Sequence, residues 1–266
     1  MEKITITTSN RCGDNEAKIF ILSDIHIGNA GFRRDAFEET LDTIATEMPT
    51  HIIINGDMID AVTRQDSKRF DPQSIQEEFR DITLIDDLVM RQCDMFIDYL
   101  QPIKNMGIEI IMLEGNHETA IEKYYGFSPY NYISNRLDAI RGGQSAFIRV
   151  LFGKQHYDIY AQHGSGGSGT LAGSALNKIE KLAHPITCDL YTMGHVHKMN
   201  VSLLGEIGFD SIHKTWIGVS GCYLDSITEG NRQYFANKMT SMSHIGYLVY
   251  TVYSDKKKSK LNAVYL

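Results

Sequence analysis

The stretch KIFILSDIHIG, residues 18–28, places a short apolar run directly before an aspartate and a histidine. The first six residues are mostly apolar and are bounded by polar residues, as expected for a buried strand. The runs HIIIN (51–55) and IEIIML (108–113) have the same character, and each also ends in a polar cluster. Together the three runs predict a buried sheet whose strands end in loops rich in polar side chains.

Helical periodicity fills the intervals between these runs. Apolar residues recur at steps of four, three and four between Phe37 and Met48, which predicts an amphipathic helix. A longer apolar pattern predicts a second helix from Ser74 to Leu100, with Ser74 and Glu77 as a capping box at its start. Strands that alternate with helices in this way are typical of a parallel sheet covered by helices.

The second half of the chain has a different pattern. Residues 146–152 and 156–162 predict a hairpin around Gly153 and Lys154, and a helix from about Leu171 to Ala183 follows. Residues 213–221 and 245–253 have the composition of further strands. We therefore predict a mixed α/β core with a C-terminal part rich in β-strands.

Composition and charge restrict the class of protein. The 266 residues suit one large domain, and no apolar run is long enough to cross a bilayer. The first 18 residues have no continuous apolar segment after a basic start, so we expect a cytoplasmic protein without a secretion signal or a membrane partner. The net charge of −7 does not favour binding of long nucleic acid by overall electrostatic attraction.

The cysteines and the basic stretch near the C terminus carry little functional signal. Cys12, Cys93, Cys188 and Cys222 are far apart and form no CxxC pair, so we expect reduced, mostly structural thiols. The stretch DKKKSK, residues 255–260, is interpreted as a solvated turn between two C-terminal strands in preference to a nucleic-acid patch.

Side chains that can bind metal ions follow five of the predicted strands. They are Asp24 and His26, Asp57, Asn116 and His117, His163, and His195 with His197. Ligand sites in parallel α/β sheets lie outside the carboxyl ends of the strands. We expect Asp24 and His26 to point the same way as alternate residues of an extended segment. The glycines Gly56, Gly115 and Gly194, which each precede a candidate ligand, are expected to allow a tight exit from the strand.

These blocks resemble the calcineurin-like metallophosphoesterase family, whose pattern is DxH, GDxxD, GNH(E/D), H and GHxH. Here the blocks are 24–26, 56–60, 115–118, His163 and 194–197, all without a substitution. The resemblance implies an α/β fold of the αββα sandwich type, with two mixed β-sheets flanked by helices. It also implies one phosphoesterase domain over residues 1–266, with a helical insertion around 60–105.

The resemblance further implies a centre of two divalent metal ions. Asp24, His26 and His197 would hold the first ion, Asn116, His163 and His195 the second, and Asp57 would bridge them. Nitrogen and oxygen donors without thiolate suit transition metals, with manganese favoured and Fe, Zn, Ni or Co compatible. Two such ions lower the pKa of a bridging water, so we expect a hydroxide nucleophile that attacks phosphorus directly.

Roles for the neighbouring residues follow from this scheme. His117 is predicted as the catalytic residue, either as a general acid for the leaving oxygen or as a donor to the transition state. Asn116 and His117 are also expected to contact the substrate, and Asp60 and Glu118 to orient the ligands. The predicted partner is a phosphate-ester substrate, with a phosphodiester, a nucleotide or a nucleic acid favoured.

Other functions are compatible with the same residues. A phosphomonoesterase or protein phosphatase is one alternative, and a non-catalytic metal-binding scaffold is another, which would bind its partner through the tyrosine-rich segment 124–136. That segment could instead serve helix packing, a homo-oligomer contact or stacking of a base. The glycine-rich stretch 163–173 is interpreted as a loop beside the site, and Arg64, Lys68 and Arg69 are candidates for a phosphate clamp.

Overall fold

The computed structural model describes residues 1–9, 15–61, 71–80, 87–166, 173–183, 185–207, 209, 212–226 and 242–266. Its strands are β1 (Glu2–Thr7), β2 (Glu16–Leu22), β3 (His51–Ile54), β4 (Glu109–Leu113), β5 (Ile140–Gly143), β6 (Ser145–Phe152), β7 (Gln155–Gln162), β8 (Leu190–Met193), β9 (Asn200–Ile207), β10 (Ile212–Val219), β11 (Gly246–Tyr253) and β12 (Ser259–Tyr265). Its α-helices are α1 (Arg34–Glu47), α2 (Leu88–Asn105), α3 (Asn116–Tyr125), α4 (Pro129–Arg136) and α5 (Ser174–Ala183).

One sheet contains the three strands predicted from the first half of the chain. Its order is β12-β11-β2-β3-β4-β5, and the strands from β2 to β5 are parallel. Helices α1 and α2 connect β2 to β3 and β3 to β4, which confirms the predicted strand-helix alternation. The C-terminal strands β11 and β12 lie on the antiparallel side of this sheet and are joined by residues 254–258. The basic stretch therefore lies in a turn between two strands as far as Lys258, and Ser259 and Lys260 already belong to β12.

The other sheet has the order β1-β6-β7-β8-β10-β9. Strands β6 and β7 form the predicted hairpin, and β7, β8 and β10 run parallel to one another. Strand β9 pairs with β10 in an antiparallel hairpin and forms one edge of the sheet. The carboxyl ends of β7 and β8 therefore lie at the same edge of this sheet, as those of β2, β3 and β4 do in the other.

Three apolar layers hold the sheets and helices together. The side chains of Phe20, Ile52 and Ile110 pack with Phe37 and Phe96 of the helices α1 and α2. A second cluster fills the space between the two sheets, and a third packs α5 against the outer face of the β7-β8-β10 sheet. The order helix, sheet, sheet, helix confirms the predicted αββα sandwich with two mixed sheets.

The predicted helix from Ser74 to Leu100 is wrong in its first part. Residues Pro72–Ser74 and Glu77–Phe79 form 3₁₀ turns, and the α-helix begins only at Leu88 and continues to Asn105; residues 81–86 lie outside the described part. Ile75 instead forms an isolated bridge with Asn29, and Ile75 and Phe79 are buried. The apolar pattern thus marked the buried residues correctly, but tertiary contacts overrode the helical preference.

The cysteines agree with the expectation of structural thiols. Cys93, Cys188 and Cys222 are free and buried, and Cys12 lies outside the described residues. Burial raises the pKa of the Cys188 and Cys222 thiols to about 12, so both are unreactive as nucleophiles. Among the described residues, no helix combines the length and the apolar character needed to span a membrane.

Candidate metal centre

The predicted ligands come together where the carboxyl ends of five strands from both sheets meet. Asp24 and His26 follow β2, Asp57 follows β3 and Asn116 follows β4 at the first turn of α3. From the other sheet, His163 follows β7, and the loop after β8 carries His195 and His197. The expectation of five neighbouring strand ends is thus met by three ends in one sheet and two in the other.

Asp24, His26 and His197 form a first cluster of potential ligand atoms. The Nε2 atoms of His26 and His197 are 3.1 Å apart, and His197 Nε2 lies 3.2 Å from Asp24 Oδ1. His26 Nε2 is 3.9 Å from the same oxygen. Two ligands that are each about 2.1 Å from one ion lie about 3.0–3.4 Å apart at right or tetrahedral angles. The distances from His197 to His26 and to Asp24 therefore match those expected for two ligands of one ion, whereas the 3.9 Å between His26 and Asp24 is wider.

Asn116, His163 and His195 form a second cluster with Asp57. His163 Nε2 lies 3.0 Å from Asn116 Oδ1, 3.2 Å from His195 Nδ1 and 3.1 Å from Asp57 Oδ2. The Nδ1–H of His163 donates to the carbonyl of Asn55 at 2.6 Å. Because a carbonyl can only accept, this bond places a proton on Nδ1, so Nε2 is the ring nitrogen available to a metal ion.

The Asp57 carboxylate lies between the two clusters. Its Oδ2 atom is 3.1 Å from His163 Nε2 in the second cluster and 3.9 Å from His26 Nε2 in the first. Its Oδ1 atom accepts a hydrogen bond from the His117 backbone N–H at 3.0 Å. One oxygen is thus fixed by the protein, and the other faces ligand atoms of both clusters.

The chemistry of the donor set fits divalent cations. Asp24 Oδ1 is buried and accepts no well-aligned hydrogen bond, although the other carboxylate oxygen accepts from the Ser23 hydroxyl and from the His195 N–H. His197 Nε2 lies 3.2 Å away without forming an aligned hydrogen bond, and a buried carboxylate oxygen that accepts no hydrogen bond is costly in a folded protein. A cation between Asp24 and the two nearby imidazoles would remove that cost.

The backbone at the ligands is not extended, contrary to the expectation from the DxH spacing. Asp24, His26, Asp57, His195 and His197 all have φ between 51° and 69°, in the left-handed region. L-residues rarely adopt this conformation, and each instance costs about 1–3 kcal/mol. Five of the eight described non-glycine residues with positive φ are thus predicted metal ligands, which places backbone strain at the centre.

Two of the three glycines, Gly115 and Gly194, serve a different purpose from the predicted one. Only Gly56 has a positive φ, at 88°. At Gly194 a Cβ atom would lie 1.9 Å from Ser23 Oγ and 2.6 Å from Asp24 Oδ2. Gly115 is equally confined by Asp57. Gly115 and Gly194 are therefore required because the loops from different strands approach each other too closely for a side chain.

His117 lies beside both clusters and is oriented by Asp60. Its Nδ1–H donates to the Asp60 carbonyl, and its Nε2 atom is 4.0 Å from Asp57 Oδ2. The Asp60 carboxylate lies 3.4 Å from His26 Nδ1. Asp60 thus contacts one predicted ligand and the predicted catalytic histidine. A group formed by His26, Asp60 and His117 could also bind a cation, as judged from the proximity of its donor atoms.

Glu118 organises the loop that carries Asp57. Its carboxylate is buried and accepts hydrogen bonds from the backbone N–H groups of Asp57, Met58, Ile59 and Gly115, at 2.8–3.2 Å. Burial and the neighbouring Asp57 raise its pKa to about 7. Glu118 therefore ties the loop after β3 to the first turn of α3.

Two residues of the centre were missed by the sequence analysis. The Ser23 hydroxyl contacts Asp24, and the Asn55 carbonyl orients His163. Ser23 ends the first predicted strand run and Asn55 ends the second, one or two residues before a ligand. Their position was a usable signal, but the role of Asn55 depends on a backbone carbonyl, which residue type does not specify.

The charges at the centre favour ionised carboxylates and a protonated His163 in the metal-free chain. Burial acts to raise the pKa of Asp24, but contact with His197 outweighs it and lowers the pKa to about 2. Burial similarly opposes ionisation of Asp57, and the charges of His163 and His117 hold its pKa well below the usual value. Burial lowers the pKa of His163, whereas Asp57 and Asp24 raise it more, to about 10. Binding of a cation at His163 Nε2 would therefore displace the proton on that nitrogen.

The tyrosine-rich segment, the proposed phosphate clamp and the glycine-rich stretch were also predicted to contribute to the site or to a partner contact. Tyr130 is buried, donates to the Met112 carbonyl and accepts from the Gly143 N–H, which supports the packing interpretation and not base stacking. Tyr125 is 44% exposed. The proposed clamp residues Arg64, Lys68 and Arg69, and residues 167–172 of the glycine-rich stretch, lie outside the described part.

The separation of His195 and His197 into different clusters gives a direct test. Replacement of either residue by alanine is expected to weaken binding of one ion at least about tenfold and to leave the other bound, because each imidazole contacts only one cluster. Metal stoichiometry under native mass spectrometry and chelator competition would measure this. The control is the exposed His156, changed to alanine. Full stoichiometry at unchanged affinity in both variants would contradict the assignment.

Comparison with known proteins agrees with this geometry. Residues 17–199 match the family model described as calcineurin-like phosphoesterase. Two curated relatives, DNA polymerase II small subunits from two strains of Halobacterium salinarum, are 30% identical over 115 residues, which are 42% of this chain and 20% of the relative. The matched segment thus spans about a fifth of the length of these relatives.

Solved structures of low sequence identity are also similar to this chain. The phosphoesterase Yfce of Escherichia coli has a TM-score of 0.44 at 13% identity, over 93% of this chain and 99% of that chain. A Streptococcus pneumoniae protein described as a predicted phosphoesterase has a TM-score of 0.40 at 12% identity, over 94% of this chain and 98% of that chain.

Proposed function

Because the chain belongs to the calcineurin-like phosphoesterase family, we propose that it hydrolyses phosphodiesters or nucleotides at a centre of two divalent metal ions, with manganese as the favoured metal. Membership of the family confirms the resemblance drawn from the five sequence blocks and supports metal-dependent hydrolysis of phosphate esters in general. The number of ions, their identity and the diester preference are the proposed part.

The position of the Asp57 carboxylate is the observation that carries the two-ion proposal. Its Oδ2 atom faces His163 at 3.1 Å and His26 at 3.9 Å, and these histidines belong to different clusters. The donor atoms divide into separate groups, Asp24, His26 and His197 in one and Asp57, His163 and His195 in another, which supports two ions in preference to one ion bound by all of them at about 2.0–2.2 Å. Two ions that share Asp57 would each be bound by one group.

The residues divide into those that hold the ions and those that handle the substrate. Asp24, His26 and His197 would bind one ion, and Asn116, His163 and His195 the other. When bound, such ions supply an activated water at neutral pH and neutralise charge on the phosphoryl oxygens. The protein fixes the donors in place through the Asn55 carbonyl, Asp60 and Glu118.

His117 is suited to the leaving group. Its Nδ1–H is committed to the Asp60 carbonyl, so only Nε2 faces the centre. In the imidazolium form Nε2–H could donate to the transition state or transfer a proton to the leaving oxygen. The carboxylates of Asp57 and Asp60 lie 4.0 Å and 3.9 Å from the two ring nitrogens.

The names of the curated relatives support the preference for phosphodiesters. The curated relatives are named as subunits of a DNA polymerase, which associates this part of the sequence with nucleic acid in those proteins. A phosphomonoesterase or protein phosphatase would use the same ligands. The complete donor set and the oriented His117 do not favour the alternative of a non-catalytic scaffold. The free, buried cysteines are compatible with the proposed cytoplasmic location.

A comparison of two small esters tests the proposal. With manganese, bis-p-nitrophenyl phosphate is expected to be hydrolysed at least about tenfold faster than p-nitrophenyl phosphate, and chelation followed by added metal should abolish and restore activity. The two esters share a leaving group, so the ratio reports diester preference. Bound metal without turnover under Mn, Ni, Zn and Mg would favour the scaffold, and a reversed ratio would favour a monoesterase.

A further inference from the structure

A second concave surface lies far from the metal centre. It is an open groove of about 390 Å³ between the β9-β10 hairpin and the turn that connects β11 to β12. The residues that line it include Tyr157, Asp189, Leu203, Lys214, Trp216 and Lys258. Asp189 precedes β8 and His195 follows it, so a strand of four residues, about 13 Å long, separates the groove from the centre.

One wall of the groove is an uncovered apolar sheet face. Leu203 lies opposite Trp216 and Ile207 opposite Ile212 in the β9-β10 register, so the four side chains share one face. Leu203 is 42% exposed and Ile212 is 62% exposed. Val201 and Trp216, on the same face, pack against the apolar cluster between the two sheets. Trp216 is half-buried, and its Nε1–H donates to the Ser259 carbonyl at 3.3 Å. The indole is therefore fixed at the edge of the groove.

The other wall is cationic. Lys257 is already paired, since its Nζ lies 2.7 Å from Asp189 Oδ2 and 4.4 Å from the centre of the Tyr157 ring. Lys214 and Lys258 are exposed, and neither has a carboxylate within 4.0 Å among the described residues. Lys214 also projects from the same face of β10 as Trp216, two residues away. The groove thus offers an apolar and aromatic wall beside two lysines that have no carboxylate partner among the described residues, of which Lys258 also lies over the Tyr253 ring, 5.6 Å from its centre.

We propose that this groove binds a single strand of nucleic acid. Single-strand sites combine a positive track for the phosphates with aromatic and apolar side chains for the bases, and this groove has both features. The chain carries a net charge of −7, so a polyanion would be attracted only where lysines are concentrated. The inference rests on the proposed function, which it deepens: the substrate would be a polymer that contacts the protein at two places.

The only tryptophan of the chain is Trp216, so its fluorescence reports directly on the groove. The full chain with Asp57→Asn, in manganese, would be titrated with an oligothymidine of about 16 nucleotides, long enough for a single-strand site. Quenching that saturates with the oligonucleotide is expected. The variant Lys214→Gln/Lys258→Gln should bind about tenfold more weakly and lower the slope of log affinity against log salt by about 1.4, for two lost phosphate contacts.

The matched control is Lys3→Gln/Lys181→Gln, which removes two lysines outside the groove and should leave the slope unchanged. The inference is overturned if the oligonucleotide gives no saturable quenching, or if the groove and control variants have the same slope. Quenching by anionic phosphatidylserine vesicles alone would also overturn it, in favour of a membrane surface.

Hydrolysis of bis-p-nitrophenyl phosphate by the unmodified chain separates the two proposals. Turnover of that ester without oligonucleotide binding would overturn only the groove inference. Oligonucleotide binding that depends on Lys214 and Lys258, in a chain that hydrolyses no ester, would support the groove and refute the proposed function.

Discussion

Replacement of Asp57 by asparagine is expected to lower metal-dependent hydrolysis of bis-p-nitrophenyl phosphate by more than about a hundredfold, the upper end of what loss of a supporting residue costs at metal sites. A single oxygen of Asp57, Oδ2, faces both clusters. It lies 3.1 Å from His163 Nε2 and 3.9 Å from His26 Nε2. An amide keeps the shape but removes the charge that two cations would share.

The same replacement should also change metal binding. Without the shared carboxylate, the binding of one ion no longer assists the binding of the other, so we expect weaker and incomplete occupancy by mass spectrometry. Circular dichroism would establish that the variant is folded, since the oxygen of the introduced amide can still accept from the His117 N–H. The exposed Asp42, changed to asparagine, is the control. Wild-type turnover in the Asp57 variant would refute the bridging role.

Replacement of Gly115 by alanine is expected to remove most metal-dependent activity and to destabilise the fold by about 1–3 kcal/mol. A Cβ atom at this position would lie 2.1 Å from Asp57 Oδ1, 2.2 Å from the Asp57 backbone nitrogen and 2.6 Å from Glu118 Oε2. The backbone nitrogen cannot move aside independently, because Glu118 holds the loop through hydrogen bonds at 2.8–3.2 Å. The added methyl must therefore displace Asp57.

Gly173 provides the matched control, because a Cβ atom there would meet nothing within 4 Å. Gly173→Ala should leave activity unchanged. Thermal unfolding with and without manganese would separate the two expected effects, since loss of the metal centre removes the increase in Tm that bound metal gives. A Gly115→Ala chain with full activity and unchanged Tm would show that the loops at the centre are not as closely packed as described.

Much of the centre could be predicted from residue types at strand ends. The seven predicted ligands do converge within ligand distances, because parallel strands direct their carboxyl ends to one edge and the loops there are short. The backbone conformation of the ligand residues could not be predicted from the sequence in the same way. Nothing in the sequence indicates that Asp24 and His26 adopt left-handed φ values, because non-glycine residues rarely do so unless the surrounding structure enforces it.

The helix predicted from Ser74 is a case in which the local sequence pattern gave a wrong prediction. Its apolar spacing and capping box satisfied the local rules, yet a bridge between Asn29 and Ile75 and two 3₁₀ turns replaced the first part. Asp71, and not Ser74, caps the first of these turns by accepting from the Gln73 N–H. Local propensity differences are a fraction of a kcal/mol per residue, so burial of Ile75 and Phe79 was enough to decide against a helix.

The sequence by itself determined the candidate donor residues, their order along the chain and the strands that carry them, because residue identity and hydrophobic periodicity are local properties. Only the tertiary structure decided that three strand ends of one sheet and two of the other form a single centre, with Asp57 between two clusters. It also brought Lys214 and Trp216 next to the turn at 254–258. These arrangements depend on how the apolar cluster between the sheets sets their relative position, which is a property of packing over the whole chain.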